Sequence, residues 1–202
     1  MATGHYLPFA VFGALAPVLP DRSIAACGSP LWSMIQTGVR ASGATYANVL
    51  FFNGGMGATD SNDGQSAYAW PSNVSNVPVE LIERNSALFV HRKELRPGSG
   101  GAGRFRGGLG QEIEFEVASE TPVGIIFMAE RCRFPAPGMA GGGPGARGEV
   151  RIDGAEVDYR RNVVLRKGQR ILLSTPGGGG MGPPGEREEA AVERDRRQGY
   201  TM

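Results

Sequence analysis

The chain has 202 residues with 21 basic and 20 acidic side chains, which give a formal net charge of +1. Its length fits one domain with a sizeable core. The balanced charge gives no reason to expect nucleic acid or an anionic membrane as a partner, and no long apolar run indicates a membrane span.

Residues 1–43 are mostly small and apolar and follow no sustained period. Within them, residues 10–19 predict a short buried helix that is interrupted at Pro17. The stretch lacks the basic leader and the cleavage site of a signal peptide, which favours a cytoplasmic protein. We therefore predict an irregular or helical leading segment at 1–43, a strand-rich core at 44–185 and a helical tail at 186–202.

Strand patterns dominate the chain from residue 44 onward. "ATYANVLFF" at 44–52 predicts a strand that runs into "NGGMGATDSNDGQ", whose composition is typical of a loop. "QEIEFEV" alternates apolar and acidic residues and predicts a half-buried antiparallel strand, whereas the apolar "VGIIFMA" predicts a central one. Asp153-Gly154 predicts a hairpin turn. The further predicted strands lie near 87–95, 111–118, 123–130, 149–153, 156–160 and 170–174.

The glycine-rich stretch "SGGAGRFRGGLG" lies between two of these strands, at residues 99–110. The whole chain has 32 glycines, about twice the average usage. The stretch fits neither a dinucleotide-binding loop nor a P-loop, because the glycine spacing differs, no Lys-Ser/Thr follows and a strand comes next. We interpret it as an architectural crossing in which backbone packs closely on backbone.

The tail predicts a helix near 186–197, with Glu193 and Arg197 spaced to form a pair on one helix face. Its apolar anchors are Ala190, Ala191 and Val192, so we expect it to dock weakly or fray. These elements together predict an α+β fold with mainly antiparallel strands in the C-terminal two-thirds, glycine-rich loops and a short C-terminal helix.

Metal and nucleophile motifs are absent from the sequence. The loop "TDSNDG" lacks the bidentate Glu of a calcium loop, His5 and His91 form no motif, and no G-x-S-x-G elbow occurs. Cys27 and Cys132 lack metal-ligand spacing. Arginines flank Cys132, but no base accompanies it, so an inert thiol is the favoured interpretation. We predict no metal ligands in this chain.

Two groups of side chains remain as candidates for chemistry. Consecutive glycines after a strand allow backbone N–H groups to approach a ligand closely, and nearby carboxylates can accept a proton. We therefore predict catalytic residues at Asp63, Glu80 and Glu83, and substrate-binding residues at Gly54, Gly55, Gly57, Asp60, Arg104 and Arg106. The alternative is that both glycine stretches are tight turns, that the carboxylates cap turns and helices, and that the arginines lie on a solvated edge.

Five ordered motifs carry a resemblance to a known family: "FFNGGMGATDSNDGQS", "NVPVELIE", "ELRPGSGGAGRFRGGLG", "GMAGGGPG" and "TPGGGGMG". Together they resemble the C-terminal part of the hydantoinase B/5-oxoprolinase family, which includes N-methylhydantoinase B subunits and subunits of acetone and acetophenone carboxylases. The sequence departs from the family pattern at Gly98, Met181 and Pro183. The resemblance implies that this chain corresponds to the C-terminal portion of a B-type domain.

The resemblance implies an ATP-dependent hydrolase that opens a cyclic amide such as 5-oxoproline or a hydantoin. It implies that ATP binds to a hydantoinase A-type ATPase subunit rather than to this chain, and that any divalent metal binds mainly outside it. The implied partners are that A-type subunit and the missing N-terminal part of the B subunit. The alternatives are a subunit of an ATP-dependent ketone carboxylase and a non-catalytic fragment that only binds a partner. In each case we expect exposed apolar surface, most of all in residues 1–43.

Overall fold

The computed structural model describes residues 2–29, 31–40, 42–68 and 70–201, and the parts of the predicted segments at residues 1, 30, 41, 69 and 202 lie outside the described residues. Over them the chain forms three α-helices: α1 (Ala2–Leu15), α2 (Val79–Asn85) and α3 (Glu189–Arg197). Short 3₁₀ helices lie at Pro20–Arg22 and Pro184–Glu186. None of the helices in the described part has both the length and the apolar composition of a bilayer crossing.

The described residues also form nine strands in two antiparallel sheets. The four-stranded sheet has the order β2-β1-β5-β8 and consists of β1 (Trp32–Val39), β2 (Thr45–Phe52), β5 (Val123–Met128) and β8 (Val163–Leu165). The five-stranded sheet has the order β3-β4-β9-β6-β7 and consists of β3 (Leu88–Leu95), β4 (Gln111–Val117), β6 (Glu149–Ile152), β7 (Ala155–Glu156) and β9 (Arg170–Ser174). The predicted α+β class with a short C-terminal helix is confirmed.

The main core lies between the two sheets. In β4 the apolar residues Ile113, Phe115 and Val117 are fully buried, as the alternation predicts. Phe52 of the four-stranded sheet meets Phe115 with 5.7 Å between ring centroids, and α2 contributes the buried Ile82. Each such side chain contributes about 1.5–3 kcal/mol by leaving water, so this layer holds the sheets together.

The predicted hairpin at Asp153-Gly154 is confirmed. Both residues have positive φ, +49° and +82°, as a tight two-residue turn requires, and β6 pairs with β7. The predicted strand at 156–160 is wrong beyond Glu156. There the Asp158 carboxylate accepts a hydrogen bond from the Arg160 amide at 3.1 Å, and this local turn ends the strand.

The prediction for residues 1–43 is wrong in two respects. The segment contains β1, which pairs with β2 on one side and β5 on the other, so neighbouring strands rather than local pattern stabilise it. The helix covers Ala2–Leu15 rather than 10–19, and it is not buried, since Val11 and Leu15 are 47% and 43% exposed. Only one side packs, where Phe9 contacts Trp70 with 5.2 Å between ring centroids.

A second core consists of glycine backbone. We call the segments 54–57, 99–108 and 177–180 the glycine layer. Backbone hydrogen bonds join these segments, such as Gly101 N–H to Gly178 O at 2.8 Å and Gly178 N–H to Gly108 O at 2.9 Å. A Cβ on Gly107 would lie 2.0 Å from Gly178 O. No side chain fits there, which supports the interpretation of residues 99–110 as an architectural crossing.

Candidate functional site

The predicted site glycines belong to the glycine layer. The amide of Gly54 donates to Ser29 O at 2.9 Å, and that of Gly55 donates to Pro176 O at 2.9 Å. The Gly57 amide donates to the Cys27 Sγ at 3.3 Å. All three N–H groups therefore have acceptors inside the protein, and their role in substrate binding stays a prediction.

The loop that follows these glycines brings the Asp63 carboxylate to the edge of the layer. Its Oδ1 accepts a hydrogen bond from the Arg106 amide at 2.7 Å. Arg187 donates to both carboxylate oxygens, from Nη1 to Oδ1 at 2.7 Å and from Nη2 to Oδ2 at 2.8 Å. Such a bidentate pair fixes both the distance and the plane of the two groups.

The pair extends into a buried ionic network with α3. Nη2 of Arg187 also donates to Asp195 Oδ2 at 2.7 Å, and Nε of Arg106 donates to the same oxygen at 3.3 Å. Asp195 is 2% exposed and Arg106 is 8% exposed. We call Asp63, Arg106, Arg187 and Asp195 the ionic network. Two cations and two anions balance within it, as buried charges require.

The network adds charged contacts to a tail that the sequence predicts to dock weakly or fray, and the strength of its docking stays a prediction. Asp195 projects from α3 into the protein, where it contacts Arg106 and Arg187. The guanidinium of Arg106 additionally lies 5.1 Å from the ring centroid of Tyr200. The Tyr200 amide donates to Asp195 O at 2.9 Å, which closes the end of the helix.

The electrostatics of Asp63 follow from these contacts. Burial raises the pKa of its carboxyl, but hydrogen bonds from Arg187 and the Arg106 amide outweigh burial, and the net pKa lies below the ordinary value. The hydrogen bond with Asp63 correspondingly raises the pKa of Arg187. Asp63 is therefore a firmly ionised carboxylate with both oxygens engaged, which suits holding charge in place better than accepting a proton.

A cleft of about 350 Å³ lies beside the network. It is lined by Ser61, Asn62, Asp63, Arg104, Phe105, Arg187, Glu188, Ala191 and Arg194. Arg104 is exposed there, whereas Asp63 is engaged by Arg187 and the Arg106 amide. The cleft thus has three guanidinium groups, from Arg104, Arg187 and Arg194, against two carboxylates, from Asp63 and Glu188, and this excess of positive charge suits an anionic group.

The other predicted carboxylates lie elsewhere. Glu80 and Glu83 are on α2 and do not line the cleft. Glu83 Oε1 accepts a hydrogen bond from the Val90 amide at 2.9 Å, and Glu80 is exposed. Asp60 is exposed in a turn whose Asn62 amide donates to Thr59 Oγ1 at 3.0 Å. The structure thus brings Asp63, Arg104 and Arg106 together and leaves the α2 carboxylates apart.

Neither cysteine has the properties of a nucleophile. Burial raises the pKa of the Cys27 thiol to about 12 and that of Cys132 to about 12, so both are protonated at neutral pH. No group of three or more His, Cys, Asp or Glu side chains within the described ranges has an arrangement that could hold a metal ion.

Sequence reasoning missed Arg187 and Asp195. Their partners are distant along the chain: Arg187 is 124 residues from Asp63 and Asp195 is 89 residues from Arg106. Local spacing carries no signal for such pairs. One signal in the sequence was available: the tail has a helix stop at Gly199 but few apolar residues. A helix of that composition needs charged rather than apolar contacts to dock.

Comparisons with known proteins agree with this architecture. The family model "Hydantoinase B/oxoprolinase" matches residues 1–184. A 5-oxoprolinase of Pestalotiopsis fici is 31% identical over 170 residues, which cover 76% of this chain and 13% of that protein. The caprolactamase subunit beta of Pseudomonas jessenii is 35% identical over 130 residues, 60% of this chain and 22% of that subunit.

Two solved structures share the fold. The ATP-dependent caprolactamase of Pseudomonas jessenii matches with a TM-score of 0.79 at 24% identity, over 94% of this chain and 35% of that one. Nucleotide-free acetone carboxylase matches with a TM-score of 0.72 at 21% identity, over 93% of this chain and 30% of that one. The chain therefore spans a minor part of the relatives it matches. Because the family model covers nearly the whole sequence, the chain belongs to the hydantoinase B/oxoprolinase family.

Proposed function

We propose that this chain is a component of an ATP-dependent hydrolase that opens a cyclic amide such as 5-oxoproline or a hydantoin. The observation that carries the proposal is the family match over residues 1–184, together with relatives named 5-oxoprolinase and caprolactamase. The chain would serve as the C-terminal portion of a B-type domain over residues 1–202.

In this proposal ATP binds to a hydantoinase A-type subunit and activates the lactam by phosphorylating its amide oxygen. Any divalent metal binds mainly outside this chain. The described residues contribute a rigid wall made by the glycine layer and a cleft with an exposed guanidinium. Arg104 is the side chain that we propose contacts an anionic group of the substrate or the phosphorylated intermediate. Arg106 fixes the cleft residue Asp63 through its amide and binds Asp195 through its guanidinium.

The direct test is reconstitution of the chain with the rest of a B-type chain and an A-type subunit. The complex should release ADP in step with ring opening of 5-oxoproline, a hydantoin or caprolactam. The chain alone should not hydrolyse ATP. Substrate-stimulated ATP turnover by the isolated chain would refute the subunit proposal.

Single substitutions in that complex test the proposed residues. Asp63→Asn probes the cleft, and Glu80→Gln probes the α2 carboxylates. Each should lower turnover at least tenfold, about 1.4 kcal/mol of transition-state stabilisation, if its group acts in catalysis. Parental turnover by both variants would make this loop and helix a scaffold.

Two other functions have an observation in their favour. The fold shared with acetone carboxylase favours a subunit of an ATP-dependent ketone carboxylase, which would consume a ketone and bicarbonate instead of a lactam. The small share of each relative that the chain spans, 13% and 22%, favours a fragment that only binds a partner. Acetone and bicarbonate supplied to the reconstituted complex distinguish the carboxylase alternative from the hydrolase, because only a carboxylase would consume both with ATP. The second predicts assembly without turnover of either substrate.

A further inference from the structure

The two sheets of the sandwich have outer faces of opposite character. On the five-stranded sheet the outer face is charged. Arg92 lies 3.3 Å from Glu112 and 3.4 Å from Glu114, while Arg170 lies 3.2 Å from Glu114. Side chains of this kind are well solvated and contribute little as pairs. This face is therefore built to face water.

The four-stranded sheet has no charged residue in any of its strands, "WSMIQTGV", "TYANVLFF", "VGIIFM" and "VVL". Its inner residues, such as Met34 and Ile125, are buried in the core. Strands without charges on either side are typical of sheets that are covered on both faces. In the described structure one face is covered, and the other is open over most of its length but buried at Ser33, which is 8% exposed.

The register shows which residues share the uncovered face. Ile35 lies opposite Val49 on one side and Ile126 on the other, and Ser33 lies opposite Phe51 and Met128. We call this surface the apolar sheet face, with members Ser33, Ile35, Thr37, Val39, Thr45, Ala47, Val49, Phe51, Gly124, Ile126, Met128 and Val164. Exposure reaches 49% at Val49, 52% at Met128 and 70% at Val164.

The size of this face indicates what kind of partner it fits. The four strands have 8, 8, 6 and 3 residues, and with strands about 4.8 Å apart and a rise of about 3.3 Å per residue they span on the order of 400 Å². An apolar surface of that size is comparable to the largest apolar patch on a typical monomer, and such a patch is often functional. It is smaller than the roughly 800 Å² per partner of a stable complex between separate proteins. The face therefore suits one part of a larger contact, such as the next layer of a longer chain, better than a symmetric pair of copies.

We infer that the apolar sheet face is the docking surface for the remainder of a hydantoinase B-type chain, meaning the part that lies outside the fold unit described here. The same unit makes up only 35% of the caprolactamase chain and 30% of the acetone carboxylase chain, so most of each chain folds outside it. The inference rests on the proposed function in that it takes its partner from the same family. The predicted exposed apolar surface in residues 1–43 is present, with Leu7, Val18 and Val39 at 66%, 76% and 42% exposure, and the inference places the contact on the sheet.

The test measures protection of the face by a defined polypeptide. The probe is the part of the Pseudomonas jessenii caprolactamase subunit beta outside the region similar to this chain, produced separately. Val49→Cys is introduced in a Cys132→Ser background, since Cys27 is buried. Arg170→Cys, on the charged outer face, is the matched control. Maleimide labelling of the Val49→Cys thiol should slow at least tenfold with the probe, and labelling of the control thiol should not change.

A second variant guards against indirect effects. Val164→Lys, at a side chain that is 70% exposed, should leave the unfolding midpoint unchanged and weaken probe binding at least tenfold. Equal labelling with and without the probe overturns the inference. Protection that needs no probe and grows with the concentration of the chain itself also overturns it, in favour of a second copy. Labelling requires neither ATP nor substrate, so a reconstituted complex without ring-opening activity refutes the proposed function and leaves this result standing.

Discussion

At the scale of single residues, glycines and charged residues have different roles in the loop that follows β2. Gly55 lets two backbones touch, since a Cβ there would lie 1.8 Å from Gly108 O. Asp63, a few residues later, holds Arg187 at hydrogen-bond distance. The loop between them thus joins a layer that tolerates no side chain to a network that depends on particular side chains.

The glycine layer makes a sharp prediction for substitution by alanine. Gly55→Ala should lower the free energy of unfolding by about 3 kcal/mol, the upper end of the usual cost of overpacking, because the clash is with backbone that cannot move independently. Gly13→Ala is the control, since a Cβ on Gly13 meets nothing within 4 Å. Alanine should stabilise that helical position by up to about 1 kcal/mol. Urea unfolding of both variants measures the difference, and equal effects would contradict the role of the layer.

Asp63 predicts a dependence of stability on pH. Its folded-state pKa is depressed, so its contribution is present above the unfolded-state value of 3.8 and is lost as the pH falls through the lower folded-state value. Asp63→Asn should cost about 2 kcal/mol at pH 7, the order expected for hydrogen bonds to charged groups, and should flatten the acid limb of the stability curve. Asp60→Asn, at an exposed neighbour, should change the free energy of unfolding at pH 7 by less than about 0.5 kcal/mol.

At the scale of elements, α3 shows how a helix with little apolar surface can dock. Its composition lacks a hydrophobic stripe, and its buried residues are Ala191 and Asp195. The buried carboxylate pairs with Arg187 and Arg106, whose own positions depend on the glycine layer and the 3₁₀ turn at Pro184–Glu186. Docking therefore depends on geometry that forms only when the segments around Asp63, Arg106 and Arg187 have folded together.

Removing Arg187 should release this helix selectively. Arg187→Ala removes the guanidinium that pairs with both Asp63 and Asp195 and leaves them only their contacts with Arg106 and Arg194, a loss of about 3–5 kcal/mol for a buried pair. We expect amide hydrogen exchange to accelerate in Glu189–Arg197 while the sheets stay protected. The control is Arg196→Ala, because Arg196 pairs with Glu193 on the surface, with side chains 69% and 64% exposed. Uniform loss of protection in both sheets would contradict local docking.

At the scale of the whole molecule, the two sheets share one interior and have two unlike outer faces. The inner faces of both sheets contribute to a single core, whereas the outer faces are charged on one side and apolar on the other. Stability therefore depends on the shared interior, and the exteriors are free to serve solubility and association.

A pair of phenylalanines on neighbouring strands tests this division. Phe115→Ala, at a fully buried side chain, should cost about 3–5 kcal/mol and lower the unfolding midpoint of both sheets together. Phe89→Ala, on the paired strand at 50% exposure, should cost less than about 1 kcal/mol. Thermal unfolding followed by circular dichroism and by tryptophan fluorescence makes the comparison. Separate transitions for the two signals would show that the sheets unfold independently.

The sequence alone determined the features that depend on neighbouring residues. The alternation of "QEIEFEV" predicted β4, Asp153-Gly154 predicted the hairpin, and the spacing of glycines excluded phosphate-binding loops at 99–110. The ordered motifs also led to the family. Each of these signals comes from backbone geometry or side-chain period within a few residues.

Tertiary structure decided the rest. The sequence predicted no strand at β1, because the stability of this strand comes from its pairing with β2 and β5. The composition of α3 likewise did not indicate its charged contacts with the rest of the protein. Of the predicted site, only Asp63, Arg104 and Arg106 meet, since Glu80 and Glu83 lie on a helix at another part of the surface. The partners of Asp63 and Arg106 are 124 and 89 residues away, and buried ion pairs at such separations are selected by the folded arrangement rather than by any local pattern.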